Sequence, residues 1–378
     1  MSDTSRTRRP LLSVALLALV VLCIVAVLAL LRTGEAEGPE ASKTSKPSES
    51  PRRSGGVDLA GPKALAPARA VEAGDAGDAR GAGAVPGKKP DVILAGWGTG
   101  PGEVARNIPK EGNPEAPMSL TIGPDGTSYV LDQVNGRIVR FGPDGKPLEP
   151  IPVTQQAPQD LAVAKDGSTV VLDRLRDKTV AVLKDGKLVG DLPVEGKGIE
   201  EGGGVTGVFV DGEDVYVERE HGSLVKVGDT SGKADPERTE VPGRPSRDGK
   251  SYVMAGLIDA AAGREFVNSV DRATMERRFT RELRLGMPVL AIVLLDTDAS
   301  GTIYLGSLVA GDPATGGGAF VRVACLSGAD GVPIGSVDLP ANSGPEETFR
   351  ELVVLDEGGV VYAQRSESGV AYVRYDCR

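Results

Sequence analysis

Residues 117–141, PMSLTIGPDGTSYVLDQVNGRIVRF, constrain the fold more than any other part of the chain. Leu120 and Ile122 alternate with polar neighbours up to Pro124-Asp125-Gly126. Tyr129 and Leu131 alternate again up to Asn135-Gly136, and Ile138, Val139 and Phe141 make a third run. Alternation with a period of two places successive side chains on opposite faces of a strand, and Asp-Gly and Asn-Gly supply the positive φ that tight hairpins need. The stretch therefore predicts three antiparallel strands. So small a meander cannot bury its own faces, so it predicts neighbours of the same kind.

Those neighbours follow. About 41 residues on, at Pro158, the pattern returns as PQDLAVAKDGSTVVLDRLRDKTVAVLKDG. Gly167 takes the place of Gly126, Leu172-Asp173 that of Leu131-Asp132, and Val180 and Val182 refill the third strand. A third copy, VTGVFVDGEDVYVEREHGSLVKVGD, puts Gly212 in the turn. This spacing matches a four-stranded propeller blade.

Later copies are looser. Residues 250–259, 264–270 and 278–285 read as a fourth blade, in which Phe279, Leu283 and Leu285 keep strand alternation. A fifth begins at VLAIVLLDTDASGTIYLGSLV, with Gly301 in its turn, and the sixth carries FRELVVLDEGGVVYAQRSESGVAYVRYDC. FVRVAC (320–325) aligns with YVRYDC (372–377), so both read as third strands. The sixth blade then lacks an outer strand. Residues 91–97, DVILAGW, are free to fill that place and close the ring. The expected fold is all-β, a six-bladed propeller of four-stranded antiparallel blades over residues 91–378.

The residues Pro117, Leu120, Ile122, Asp125-Gly126, Tyr129-Val130, Asp132, Asn135, Arg137-Ile138 and Phe141 together resemble an NHL repeat, and Gly96-Trp97-Gly98-Thr99-Gly100-Pro101-Gly102-Glu103 resembles the loop that leads into one. The copy at Pro158 keeps the proline, the Asp166-Gly167 turn and Asp173, but has Asp177-Lys178 where the repeat has Asn-x-Arg. The resemblance implies a six-bladed propeller of a kind that mostly binds proteins, nucleic acid or polymers. Some members are sensor domains held outside the membrane. A fold by itself does not set function.

The amino terminus reads as an anchor. Arg6, Arg8 and Arg9 precede an apolar run at 11–31 broken only by Ser13. About 21 residues of helix span roughly 31 Å, close to a hydrocarbon core of about 30 Å. A cleaved signal peptide has a shorter apolar region and a small-residue cleavage site, whereas this run ends in Leu30-Leu31-Arg32-Thr33. Arginines before the run, with Glu35 and Glu37 after it, place residues 1–10 in the cytoplasm and the rest outside. Residues 11–32 are thus expected to be a single-pass inner-membrane anchor. Residues 33–90, rich in Pro, Gly and Ala, are expected to be a disordered tether, and the propeller is expected to be periplasmic or otherwise extracytoplasmic. The Ala-, Gly-, Val- and Arg-rich usage resembles a high-GC genome and is in keeping with a bacterial source.

Charge and composition narrow the function. A formal net charge of -10 argues against a basic surface for nucleic acid. His221 is the one histidine, and it falls in a hairpin turn, Glu220-His221-Gly222; one histidine rules out multi-histidine zinc sites, and no Ser-His-Asp arrangement stands on a recognisable elbow. Asp132, Asn135 and Arg137 read as turn chemistry. Asp296, Asp298, Ser300 and Gly301 resemble the start of a calcium loop, but Ser307 stands where the bidentate glutamate belongs. Gly196-Lys197-Gly198 lacks the spacing of a phosphate loop, and the run from Gly202 to Gly207 lacks the strand-to-helix setting of a dinucleotide site. No cofactor, catalytic or metal residue is assigned. Asp160, Asp211 and Glu357 are the carboxylates that would converge in the channel of a metal-dependent lactonase or lyase.

Of three cysteines, Cys23 lies in the apolar run, leaving Cys325 and Cys377. An oxidising compartment favours pairing them. Equivalent third strands of adjacent blades diverge outward, which places the pair beyond the roughly 7 Å Cα limit for bridging. Both readings stay open from the residues. The expected function is a non-enzymatic module that binds a protein or an envelope polymer, with the metal-dependent enzyme as the alternative.

Overall fold

The computed structural model describes residues 57–58, 92–311 and 317–377. The apolar run at 11–31 and most of the stretch read as a tether lie outside them. Among the described residues no helix is long and apolar enough to cross a membrane.

The chain winds through six antiparallel sheets. In sequence order blades one to five each place their first strand innermost and their fourth outermost. Blade one is Ser119–Ile122, Ser128–Asp132, Arg137–Phe141 and Pro147–Pro152. Blade two is Asp160–Val163, Thr169–Asp173, Thr179–Lys184 and Lys187–Pro193. Blade three is Val205–Asp211, Asp214–Arg219, Leu224–Asp229 and Glu240–Val241. Blade four is Arg244–Pro245, Ser251–Asp259, Arg264–Asp271 and Arg277–Arg284. Blade five is Val289–Thr297, Ile303–Val309, Phe320–Leu326 and Pro333–Pro340. Blade six is Leu352–Val354, Val360–Ser366 and Gly369–Tyr375, completed by Val92–Gly96. The charged stretch 271–282, which also suits a short helix, is a turn leading into the strand Arg277–Arg284, and Leu283 and Leu285 are buried on one side of it.

The two ends of the ring meet as the sequence predicts. Val92–Gly96 pairs antiparallel with Gly369–Tyr375, from Val92 opposite Val373 to Gly96 opposite Gly369. Trp97 Nε1 donates to the Ser366 carbonyl at 3.0 Å, and Arg106, from the lead-in loop, meets Glu346, on the approach to blade six, at 2.5 Å. Inside the stretch read as a tether, Val57–Asp58 adds a short fifth strand, parallel to the edge of blade four and opposite Leu283 and Arg284.

Cys325 and Cys377 form a disulfide with their Cα atoms 6.3 Å apart. Outward divergence of the third strands therefore does not keep them apart. The strand of blade six stops at Tyr375. Cys377 lies two residues past it, where the ladder no longer sets direction, and the tail packs on the apolar cluster between blades five and six.

Apolar clusters fill five of the six seams. Leu120, Val130, Phe141 and Tyr372 join blades six and one, and Leu131, Ile138, Leu161 and Val171 join one and two. Further clusters lie between two and three, four and five, and five and six. Each fully buried Val, Leu or Phe contributes roughly 1.5–3 kcal/mol. Among the described clusters none joins blades three and four. That seam is crossed by ion pairs, Arg244 with Glu218 and Arg272 with Asp211.

Turn chemistry repeats at the first hairpin of several blades. Asp125, Asp166 and Asp298 each accept bonds from the backbone N–H and hydroxyl two residues on, at Thr127, Ser168 and Ser300. A glycine in each turn adopts positive φ, 81° at Gly126 and 84° at Gly167, between the bonded residues, and 89° at Gly301, just after them, which a side chain would strain.

Blade four departs from this scheme. Its inner strand is two residues long, so its second strand stands against the inner strand of blade five. The ladders there skip Ile258, Leu290 and Val293, each a bulge residue. All three are exposed apolar side chains, as is Leu257 beside them.

Candidate functional site

The inner strands begin at one end of the channel, where the longest connections and the richest polar network lie. Asp160, fully buried, opens the inner strand of blade two. Its Oδ1 accepts from Ser119 Oγ at 2.6 Å and from the Leu161 N–H at 2.9 Å. Its Oδ2 accepts from the Val208 N–H at 2.9 Å and Arg350 Nη2 at 2.5 Å. One carboxylate thus binds groups from blades one, two, three and the approach to six. Its four acceptor positions are filled, and an ionised carboxylate has about that many.

Phe209, on the inner strand of blade three, holds two cations against its ring. Arg350 lies 5.1 Å and Arg244 4.7 Å from the ring centre. Arg244 donates through Nε and Nη2 to Glu218 at 2.6 and 3.0 Å, and to the Leu295 carbonyl of blade five. Glu218 also accepts from Thr206 Oγ1 at 2.8 Å. Burial pushes its carboxyl up, but the Arg244 charge and the hydrogen bonds outweigh that and hold it down at about 2.

His221 stands above this pair. Its Nδ1 is 3.6 Å from Glu218, and its side chain is mostly exposed. Glu220 and His221 both have positive φ, 50° and 57°, a turn that glycine or asparagine would take more easily. The His221 N–H donates to Thr206 Oγ1 at 2.9 Å, which fixes the turn over the strand below.

The three carboxylates suggested for a channel site do not converge. Asp160 is at the start of its inner strand. Asp211 is at the far end of another and pairs with Arg272. Glu357 lies in the hairpin after the inner strand of blade six, 3.2 Å from Arg374. The topology separates them because inner strands all run in one direction, so first and last residues sit at opposite ends of the channel.

The remaining candidates have structural partners. Asp132 is fully buried and accepts from the Ala105 N–H, Asn135 Nδ2 and Arg137 Nε. Arg137 donates onward to the carbonyls of Thr99, Gly100 and Glu103, so the motif fastens the lead-in loop to blade one. Asp298 is committed to its turn and to Tyr304, while Asp296 pairs with Arg247 at 2.6 Å. Ser307 donates to Glu265 at 2.7 Å. Gly202–Gly204 forms a short 3-10 turn that runs straight into a strand. Among the described residues no three His, Cys, Asp or Glu side chains are grouped to hold a metal.

Sequence reasoning missed Glu218, Arg244, Phe209, Arg350 and Glu265. Glu265 had a readable signal, since it shares the inward parity of Val267 and Ser269. It is 1% exposed between blades four and five, with Oε1 lacking a partner. Burial pushes its carboxyl up to about 7, against one opposing bond from Ser307.

No family model matches the sequence, and no curated protein matches it either. Solved structures do. A streptogramin B lyase structure is 10% identical with a TM-score of 0.41, covering 69% of this chain and 93% of that one. A catalytically inactive virginiamycin B lyase from Staphylococcus aureus, solved with quinupristin, is 11% identical with a TM-score of 0.40, covering 71% and 83%. A functionally unknown protein from Desulfotomaculum acetoxidans is 13% identical with a TM-score of 0.45, covering 70% and 85%.

Proposed function

We propose that this protein is a membrane-tethered, extracytoplasmic propeller of NHL type that binds a protein or cell-envelope polymer and acts as a scaffold. The observation that carries this reading is the state of the channel carboxylates. Asp160 and Glu218 are each matched by an arginine and further donors, which suits bracing a ring rather than moving protons. The anchor-like run at 11–31 and the net charge of -10 support a tethered, non-nucleic-acid role. In-cell crosslinking of the full chain should yield one specific envelope partner. Turnover of a small substrate by purified protein, with no partner recovered, would reject the reading.

A second reading rests on the Glu218–His221 pair. A buried carboxylate facing Nδ1 leaves Nε2 pointing away from it as a proton acceptor, as a lyase or lactonase requires. A stoichiometric metal in purified protein, and activity abolished by His221→Ala, would favour it.

A further inference from the structure

The outer strand of a blade leaves a row of N–H and C=O groups facing away from the sheet, and such an edge accepts another strand unless something blocks it. Five of the six edges here are blocked. In blade one the outer strand carries Pro147, Pro150 and Pro152. In blade two it has Lys187, Pro193 and a bulge at Val189. In blade three it is two residues long and is followed by Pro242. In blade four, RRFTRELR is densely charged and already carries Val57–Asp58 as an added strand. In blade five, prolines stand at both ends, and the ladder breaks near Ile334.

Blade six has none of these devices within its outer strand, although Pro90 and Asp91 precede it in sequence. Its outer strand, VILAG, contains no proline and no charge, and its register runs unbroken over five pairs. Among the described residues its outward side is met only at its end, where the Gly96 carbonyl accepts from the Val104 N–H at 2.9 Å, and nothing pairs with the outward groups of Val92 and Leu94. Leu94 is 75% exposed and Val92 41%, both on one face of the strand, while Ala95 on the other face is buried against blade one.

We propose that Val92–Gly96 is a strand-addition site, which takes an extended segment of a partner protein as a fifth strand of blade six. The chemistry names the class of partner. A row of main-chain donors and acceptors is satisfied by another main chain, and Leu94 and Val92 add contact with apolar side chains at alternate positions. An edge of five residues is too small alone to hold two copies of the propeller, since stable interfaces bury about 1,200 Å² or more. An extended peptide needs no such area beyond the edge. The fifth strand on blade four shows that an edge of this ring accommodates one. The inference rests on the binding reading above and makes it specific in place and partner.

The test uses the full chain and a fluorescent hexapeptide of alternating valine and threonine, in parent form and N-methylated at alternate residues. The expected result is saturable binding of the parent peptide, at least tenfold weaker binding of the N-methylated one, and at least a tenfold loss with Leu94→Lys. Leu188→Lys, on the edge of blade two, should leave binding unchanged. Leu94→Gln, expected to weaken binding less, serves if the lysine variant melts early. Equal binding of both peptides, or no effect at Leu94, would overturn the proposal. So would a Leu94-dependent dimer without peptide binding, or peptide binding that appears only when residues 59–86 are removed. Envelope crosslinks confined to the loops at the channel mouth, with no peptide at the edge, would remove this site and leave the binding reading standing. Substrate turnover without any partner would remove both.

Discussion

Blades four and six are both incomplete, and the molecule treats them in opposite ways. Blade six lacks an outer strand in the order of the chain, and two devices make good the lack. Val92–Gly96 supplies the strand, and the Cys325–Cys377 bond ties the tail to blade five. Blade four has all four strands, but its innermost has shrunk to Arg244–Pro245. Nothing among the described residues fills that gap. On one side the blade meets its neighbour through ion pairs, and on the other it buries Glu265 with a single donor. A missing outer strand opens the ring, so closing it stabilises every seam at once. A short inner strand costs only local packing, and the structure tolerates it.

The comparison breaks most directly at the tail. Replacing both cysteines with serine should cost roughly 4 kcal/mol in the chain-entropy model, for a sequence separation of 52. Urea unfolding of oxidised wild type and the double variant measures this. Equal midpoints would mean that the added strand alone closes the ring.

Glu265→Gln probes the other side with a comparable effect and opposite sign. In the unfolded chain this carboxyl ionises near its ordinary value of 4.5, and in the fold near 7. Below about pH 4 it is protonated in both states and adds no pH dependence. Between those values the unfolded chain loses its proton first, so stability falls as pH rises. The deficit levels off above pH 7 at on the order of 3 kcal/mol. The glutamine variant should therefore be the more stable protein at pH 8 and match wild type at pH 4. Thermal melts that differ by the same amount at both pH values would refute this account of the seam.

Ser307→Ala removes the one donor to that carboxyl and should destabilise by about 1 kcal/mol at pH 8. Its effect should shrink in the Glu265→Gln background, where Ser307 donates to a neutral amide oxygen instead of a carboxylate, which a double-mutant cycle would reveal. Leu290→Ser should change stability by less than about 0.5 kcal/mol, because the side chain is a bulge residue already 56% exposed. A large loss there would show that the gap in blade four is packed in solution.

Much of this fold was legible because period-two alternation survives degeneration of the repeat. Phe279, Leu283 and Leu285 were enough to read a strand through a run of arginines, and the match of 320–325 with 372–377 located the open edge. What escaped has physical reasons. Bulges at Leu290 and Val293 add one residue each, and inside an apolar run an added residue leaves no trace in the pattern. Cys377 lies past the last ladder pair, so alignment to a strand misjudged its reach. The channel network joins residues far apart in the chain, Asp160 with Arg350 and Glu218 with Arg244, and no local spacing announces such pairs. Asp132 and Arg137 were legible as structure because their partners are close in sequence.

The strand that completes blade six also sets a timetable. Val92 pairs with Val373, about 280 residues later, so the first strand of the propeller waits for the last. At roughly 5–20 residues per second, synthesis leaves it without its partner for about 14–56 seconds. Through that interval an uncharged, proline-free strand has both edges open on a chain still emerging. Whatever keeps it unpaired until blade six arrives is as much a condition of reaching the closed ring as any contact within it.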